Sequence, residues 1–146
     1  MSDVDNNFEH RKLANEAAVN NANIALRTLV LINGGAAIAL LAFIGTIVTS
    51  PSLSQAGSIA TLTLPLLWFG GGVVATVMAM IFAYVTHYCA VAIGSAENSK
   101  KMSESHRLRK VKTWVHFAGI LATLSSLGLF VWGLVEVREA IITLLA

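Results

Sequence analysis

Three long apolar runs are separated by short polar segments along this chain. They cover about residues 24–48, 59–93 and 114–135. A helix needs roughly 20 mostly apolar residues to cross ~30 Å of hydrocarbon. Each run meets that length, so the pattern predicts three membrane-spanning helices. Backbone exposed to lipid must satisfy its own N–H and C=O groups, which leaves the helix as the only economical form for isolated spans. The expected fold class is therefore all-α, a polytopic membrane protein with three transmembrane helices.

Before the first run, the segment FEHRKLANEAAVNNANIAL is rich in Ala, Glu, Lys and Leu and lacks Gly and Pro. It should be helical and continuous with the first span. Residues 1–23 thus form an N-terminal arm, and residues 24–146 the membrane domain. The arm's apolar face, Leu13, Ala17 and Ile24, is thin, so the arm is expected to pack against the protruding end of span two. That span is about 35 residues, ~52 Å at 1.5 Å per residue, longer than the bilayer is thick. Pro51 should end span one, and Pro65 lies near the start of span two. A basic turn is expected over residues 94–113, with Ser103 or Ser105 as the cap of span three. The tail VEVREAIITLLA fits either a helix extension or an interfacial anchor.

Composition sharpens this picture. Apolar residues make up 55% of the 146 and charged residues 12%, against about a quarter charged in soluble domains. A soluble catalytic domain has no room beside the spans. The single cysteine excludes an intrachain disulfide. Charge placement matters more than the net +2. Arg11, Lys12, Arg27, Lys100, Lys101, Arg107, Arg109, Lys110 and Lys112 fall on one side of the predicted membrane, and Arg138 alone on the other. The excess of Lys and Arg on cytoplasmic loops then predicts a cytoplasmic N-terminus and an outside C-terminus. A cleaved signal peptide is a poor fit, because the first apolar run starts too deep and is too long.

Small residues give the clearest packing signal. Gly71, Ala75, Ala79 and Ala83 recur every four residues in span two. Ala118, Ala122 and Ser126 do so in span three, and Gly35 and Ala39 in span one. Such stripes allow close backbone approach within the chain or between subunits. Asn33 is a carboxamide in hydrocarbon and should hydrogen-bond across helices. No Asp, Glu or Lys lies inside a span, which argues against an ion-coupled transporter. Arg27, Arg107, Arg109, Lys110 and Lys112 are expected at lipid headgroups.

Chemistry-bearing motifs are sparse. His87 and His116 should reach a similar depth, and with Cys89 and Met78 nearby they are the candidates for a haem or metal ligand. Water-bonded interfacial histidines explain them more simply, so no cofactor is expected. Trp68, Tyr84, Tyr88, Trp114 and Trp132 suit an interfacial belt. The run RLRKVK suits lipid contact rather than nucleic acid. There is no phosphate-binding Gly-rich loop with a Lys, no His-Glu-x-x-His and no Cys-x-x-Cys. Gly70-Gly71-Gly72 reads as flexibility or close packing.

The stretch ALRTLVLINGGAAIALLAFIG, residues 25–45, resembles the first span of a group of uncharacterised small bacterial inner-membrane proteins. In that group a helical arm leads into Asn-Gly-Gly-Ala-Ala. The resemblance implies a bacterial inner-membrane location and no particular activity. Succinate dehydrogenase anchors share the size and span number, but their Ser-Pro-His element is missing here. The expected function is a non-enzymatic membrane protein, acting as a homo-oligomer or as a subunit of a membrane complex, with the lipid bilayer as its other partner. A pore-forming, holin-like or defence effector and a haem- or metal-binding subunit are the alternatives.

Overall fold

The computed structural model describes residues 3–49, 56–99 and 102–145. It consists of three long helices: α1 (Asp3–Val48), α2 (Ala56–Asn98) and α3 (Met102–Leu145). Each is long and apolar enough to cross a membrane. The arm and the first span form one unbroken helix, as the absence of Gly and Pro before residue 34 predicts. Pro51 lies outside the described residues. Pro65 sits inside α2 and is fully buried.

Packing is unequal. α2 and α3 form a tight antiparallel hairpin, α1 lies against α2, and α1 barely meets α3. The buried positions explain why. In α1 they are Leu26, Leu29, Asn33, Leu40 and Ile47, spaced by three, four, seven and seven. In α2 they are Leu62, Pro65, Phe69, Gly72, Thr76 and Ala79, spaced alternately by three and four, and then Cys89, Ile93 and Ala96. In α3, Ser105, Lys112, Gly119, Ser126, Gly133 and Ala140 repeat every seven residues and are buried or half-buried. A 3.5-residue average is the repeat that keeps a seam facing its neighbour in a left-handed bundle.

Lipid tails are as apolar as Leu, so close fit rather than water exclusion must hold the helices together. Two glycines of α3 make that fit possible. A Cβ at Gly119 would lie 3.3 Å from the Phe82 Cβ, and one at Gly133 would come within 2.7 Å of the Phe69 ring. Phe69, tilted against Phe130 at 5.9 Å between centroids, joins Leu40, Ile47, Leu62 and Ala140 in the core at one end.

Several expectations need correction. The arm does not pack on span two: every described position from Glu9 to Ala25 is exposed, including Leu13 and Ile24. The seven-residue seam runs out before Leu26: Val19 and Lys12, the next positions in that repeat, are both exposed. The basic segment 94–113 is mostly helix. α2 runs through Gly94 to Asn98, where the Ser99 N–H still donates to the Ser95 carbonyl at 3.1 Å, and α3 resumes at Met102. Ser103 and Ser105 therefore lie inside α3, and Ser105 is buried. The tail is a helix extension: α3 continues to Leu145, and buried Ala140 ties it to the core.

Candidate functional site

Midway along the bundle the three helices meet in a polar node. Asn33 from α1, Thr76 from α2 and Ser126 from α3 are all fully buried. Ser126 lies near the middle of the apolar α3 segment between Lys112 and Glu136. The Asn33 amide Nδ2 donates to the Leu29 carbonyl at 3.0 Å and to Ser126 Oγ at 3.3 Å. Ser126 Oγ donates to the Gly72 carbonyl at 2.9 Å. Thr76 Oγ1 lies 2.7 Å from Ser126 Oγ and 2.9 Å from the same Gly72 carbonyl.

Asn33 uses both amide hydrogens. Ser126 and Thr76 have one each for three contacts. Either Thr76 donates to Ser126 and Ser126 to Gly72, or Ser126 donates to Thr76 and Thr76 to Gly72. In both arrangements Ser126 accepts from Asn33 and is the hub that joins all three helices.

One acceptor is left over. Asn33 Oδ1 is buried and receives no conventional hydrogen bond. It faces Gly72, where a Cβ would overlap the carboxamide. The Cα–H that such a methyl would replace therefore points at the oxygen, a weak contact common at helix–helix interfaces. Gly72 thus serves the node twice, as an acceptor through its carbonyl and as a space that admits Asn33.

The residues singled out from sequence fall in different places. Asn33 is in the node. Ala79 is buried, while Gly71, Ala75, Ala118 and Ala122 are half-buried; a Cβ at Gly71 would meet only Leu129 at 3.5 Å. Gly35, Ala39 and Ala83 are exposed, and nothing lies within 4 Å of a Cβ built on Gly35. The four-residue stripe divides because four residues turn an α-helix about 40° past a full circle. Over three steps it leaves the seam. Gly72 and Thr76, one position on from the stripe, hold the node instead, and the alternation of three and four from Leu62 to Ala79 was the signal for them.

Arg27, Arg107, Arg109 and Lys110 are exposed and Lys112 is half-buried. His87 and His116 are both exposed, whereas Cys89, two residues from His87, is buried in the α2–α3 seam. The thiol and the imidazole therefore face different sides of α2. Among the described residues, no group of three or more His, Cys, Asp or Glu is placed to hold a metal ion.

Aromatic and polar groups also meet toward the α3 C-terminal end. Trp68 and Trp132 pack edge to face at 6.4 Å, and the Trp132 indole N–H donates to Glu136 Oε1 at 3.1 Å. On the arm side of the node, a cleft of ≈180 Å³ opens between all three helices, floored by Ala79 and Gly119.

Fold and node together define a three-helix membrane protein whose spans are locked by a buried hydroxyl–carboxamide cluster. No family model, curated protein or solved structure matches the chain.

Proposed function

We propose that the protein is a non-enzymatic integral membrane subunit that works in a homo-oligomer or a larger complex of the bacterial inner membrane. Its N-terminus and arm lie in the cytoplasm, where the basic flanks of the spans hold them, and its C-terminus lies outside.

The observation that carries this reading is the outer face of α1. Thr28, Gly35, Ala39, Ala42 and Thr46 are all exposed and share one side of the helix, away from the Asn33 seam. Thr28 and Thr46 donate to the carbonyls of Ile24 and Ala42, at 2.9 and 3.1 Å, so their hydroxyls are quenched within the helix. The face is thus small, smooth and free of unsatisfied polarity, the surface on which spans pack closely. The arm beyond it, a helix exposed at every described position from Glu9 to Ala25, gains stability when a neighbour covers it.

Cysteines introduced at Gly35 and Ala39, in a Cys89→Ser background, test the reading in native membranes. Disulfide-linked dimers or adducts to a second protein, absent when cysteine is placed at Leu67 on another helix, are expected. A monomer by cross-linking and by mass in mild detergent would overturn it.

A further inference from the structure

The cleft on the arm side of the node is a second feature, independent of the α1 outer face. Its walls are Ala22, Ala25 and Leu26 of α1, Phe82 and Ala83 of α2, and Gly119 of α3. Along α3 it runs from Val115 to Thr123, about 12 Å at about 1.5 Å per residue. That is close to one leaflet's share, about 15 Å, of the ~30 Å hydrocarbon core. The ≈180 Å³ cleft is open on one side and lined mostly by apolar side chains, a surface suited to a methylene chain.

The mouth differs from the walls. His116 lines the cleft at its outer end. Half-buried Lys112 stands one turn further along the same face of α3, at the seven-residue position before Gly119. Thr86 also lines this end, and its hydroxyl is buried without a hydrogen-bond partner. Thr113 and Thr123 on the facing helix, by contrast, donate to the carbonyls four residues back, at 3.0 and 2.9 Å. An apolar slot of leaflet depth thus ends at an imidazole and an unused hydroxyl, with Lys112 one helical turn beyond.

We infer that the cleft is a binding site for one anionic phospholipid of the arm-side leaflet. An acyl chain lies between α1 and the α2–α3 hairpin, and the phosphate sits at Lys112 and His116 with Thr86 within its reach. The lipid fills the wedge left where α1 diverges from α2 beyond Leu26.

Native mass spectrometry tests this on the full-length protein, taken from vesicles of equal parts phosphatidylglycerol and phosphatidylcholine. One phosphatidylglycerol per chain should survive transfer to detergent. Lys112→Gln should cut its preference over phosphatidylcholine by about fivefold, the share of one basic residue at a membrane surface. Ala83→Leu and Ala25→Leu, at exposed positions on different helices, should each expel the lipid while helicity and elution volume stay unchanged. Equal retention of both lipids, or undiminished phosphatidylglycerol in both leucine variants, overturns the inference. So does a lipid-free wild type whose oligomer the leucine variants dissolve, which would give the cleft to a second copy.

Discussion

Replacing Gly72 by alanine adds one methyl group where the Asn33 carboxamide lies against α2. A Cβ there would overlap Asn33, a fully buried side chain already tied to Leu29 and Ser126. Two relaxations are open, and both cost free energy. If α1 moves away, the packing on either side of Asn33 loosens; overpacking of this kind costs about 1–3 kcal/mol. If the amide rotates instead, its bond to Ser126 breaks, a loss of about 0.6 and at most about 1.7 kcal/mol in a membrane interior. The cheaper route sets the loss, so a destabilisation of about 1–2 kcal/mol is expected. Equilibrium unfolding in mixed micelles, followed by helical circular dichroism, measures it. Gly71→Ala is the neighbouring control. Its methyl meets only Leu129 at ordinary contact distance, so a change within about 0.5 kcal/mol is expected. The double variant Asn33→Ala/Gly72→Ala removes the obstructing amide and should be more stable than the sum of the two single losses predicts. Equal effects of Gly71→Ala and Gly72→Ala, or strict additivity in the double variant, would refute the account of the node.

Three further outcomes follow from the packing. Gly133→Ala presses a methyl against the buried Phe69 ring and should cost about 1–3 kcal/mol, with Phe69→Leu restoring part of the loss in the same unfolding assay. Deleting residues 3–20 removes helix whose every described side chain is exposed; the unfolding free energy of monomeric protein should change by less than about 0.5 kcal/mol. Cys89, buried at 5% exposure between α2 and α3, should react with a maleimide at least tenfold more slowly in folded micelles than after unfolding, on the order expected for a thiol shielded by packing. Prompt labelling of the folded protein would show that the hairpin opens there.

Much of the architecture was legible in the order of residues. The three runs, the arm without Gly or Pro, and Asn33 as the polar residue of span one each depend on local chemistry that a linear reading captures. The partners of Asn33 were harder to see. Thr76 and Ser126 are unremarkable hydroxyls in isolation, since either can satisfy itself on the carbonyl four residues back. Their role exists only once three helices share one seam, and that seam appears as sevens in α3 rather than as runs of small residues. Gly72 looked like one of three equivalent glycines, yet only it faces Asn33; Gly70 points to open space. The fate of the arm was misjudged because its thin apolar face suggested an intramolecular partner, whereas helix continuity through Leu26 directs it away from α2.

That continuity makes α1 a lever. The ~24 residues from Asp3 to Leu26 extend about 35 Å at about 1.5 Å per residue. With the lock at Asn33 as fulcrum, about 45 Å from Asp3, a tilt of about 10° would swing the far end by about 8 Å. Displacements too small to disturb the buried hydroxyls would thus be magnified at the tip, where the chain has the greatest reach.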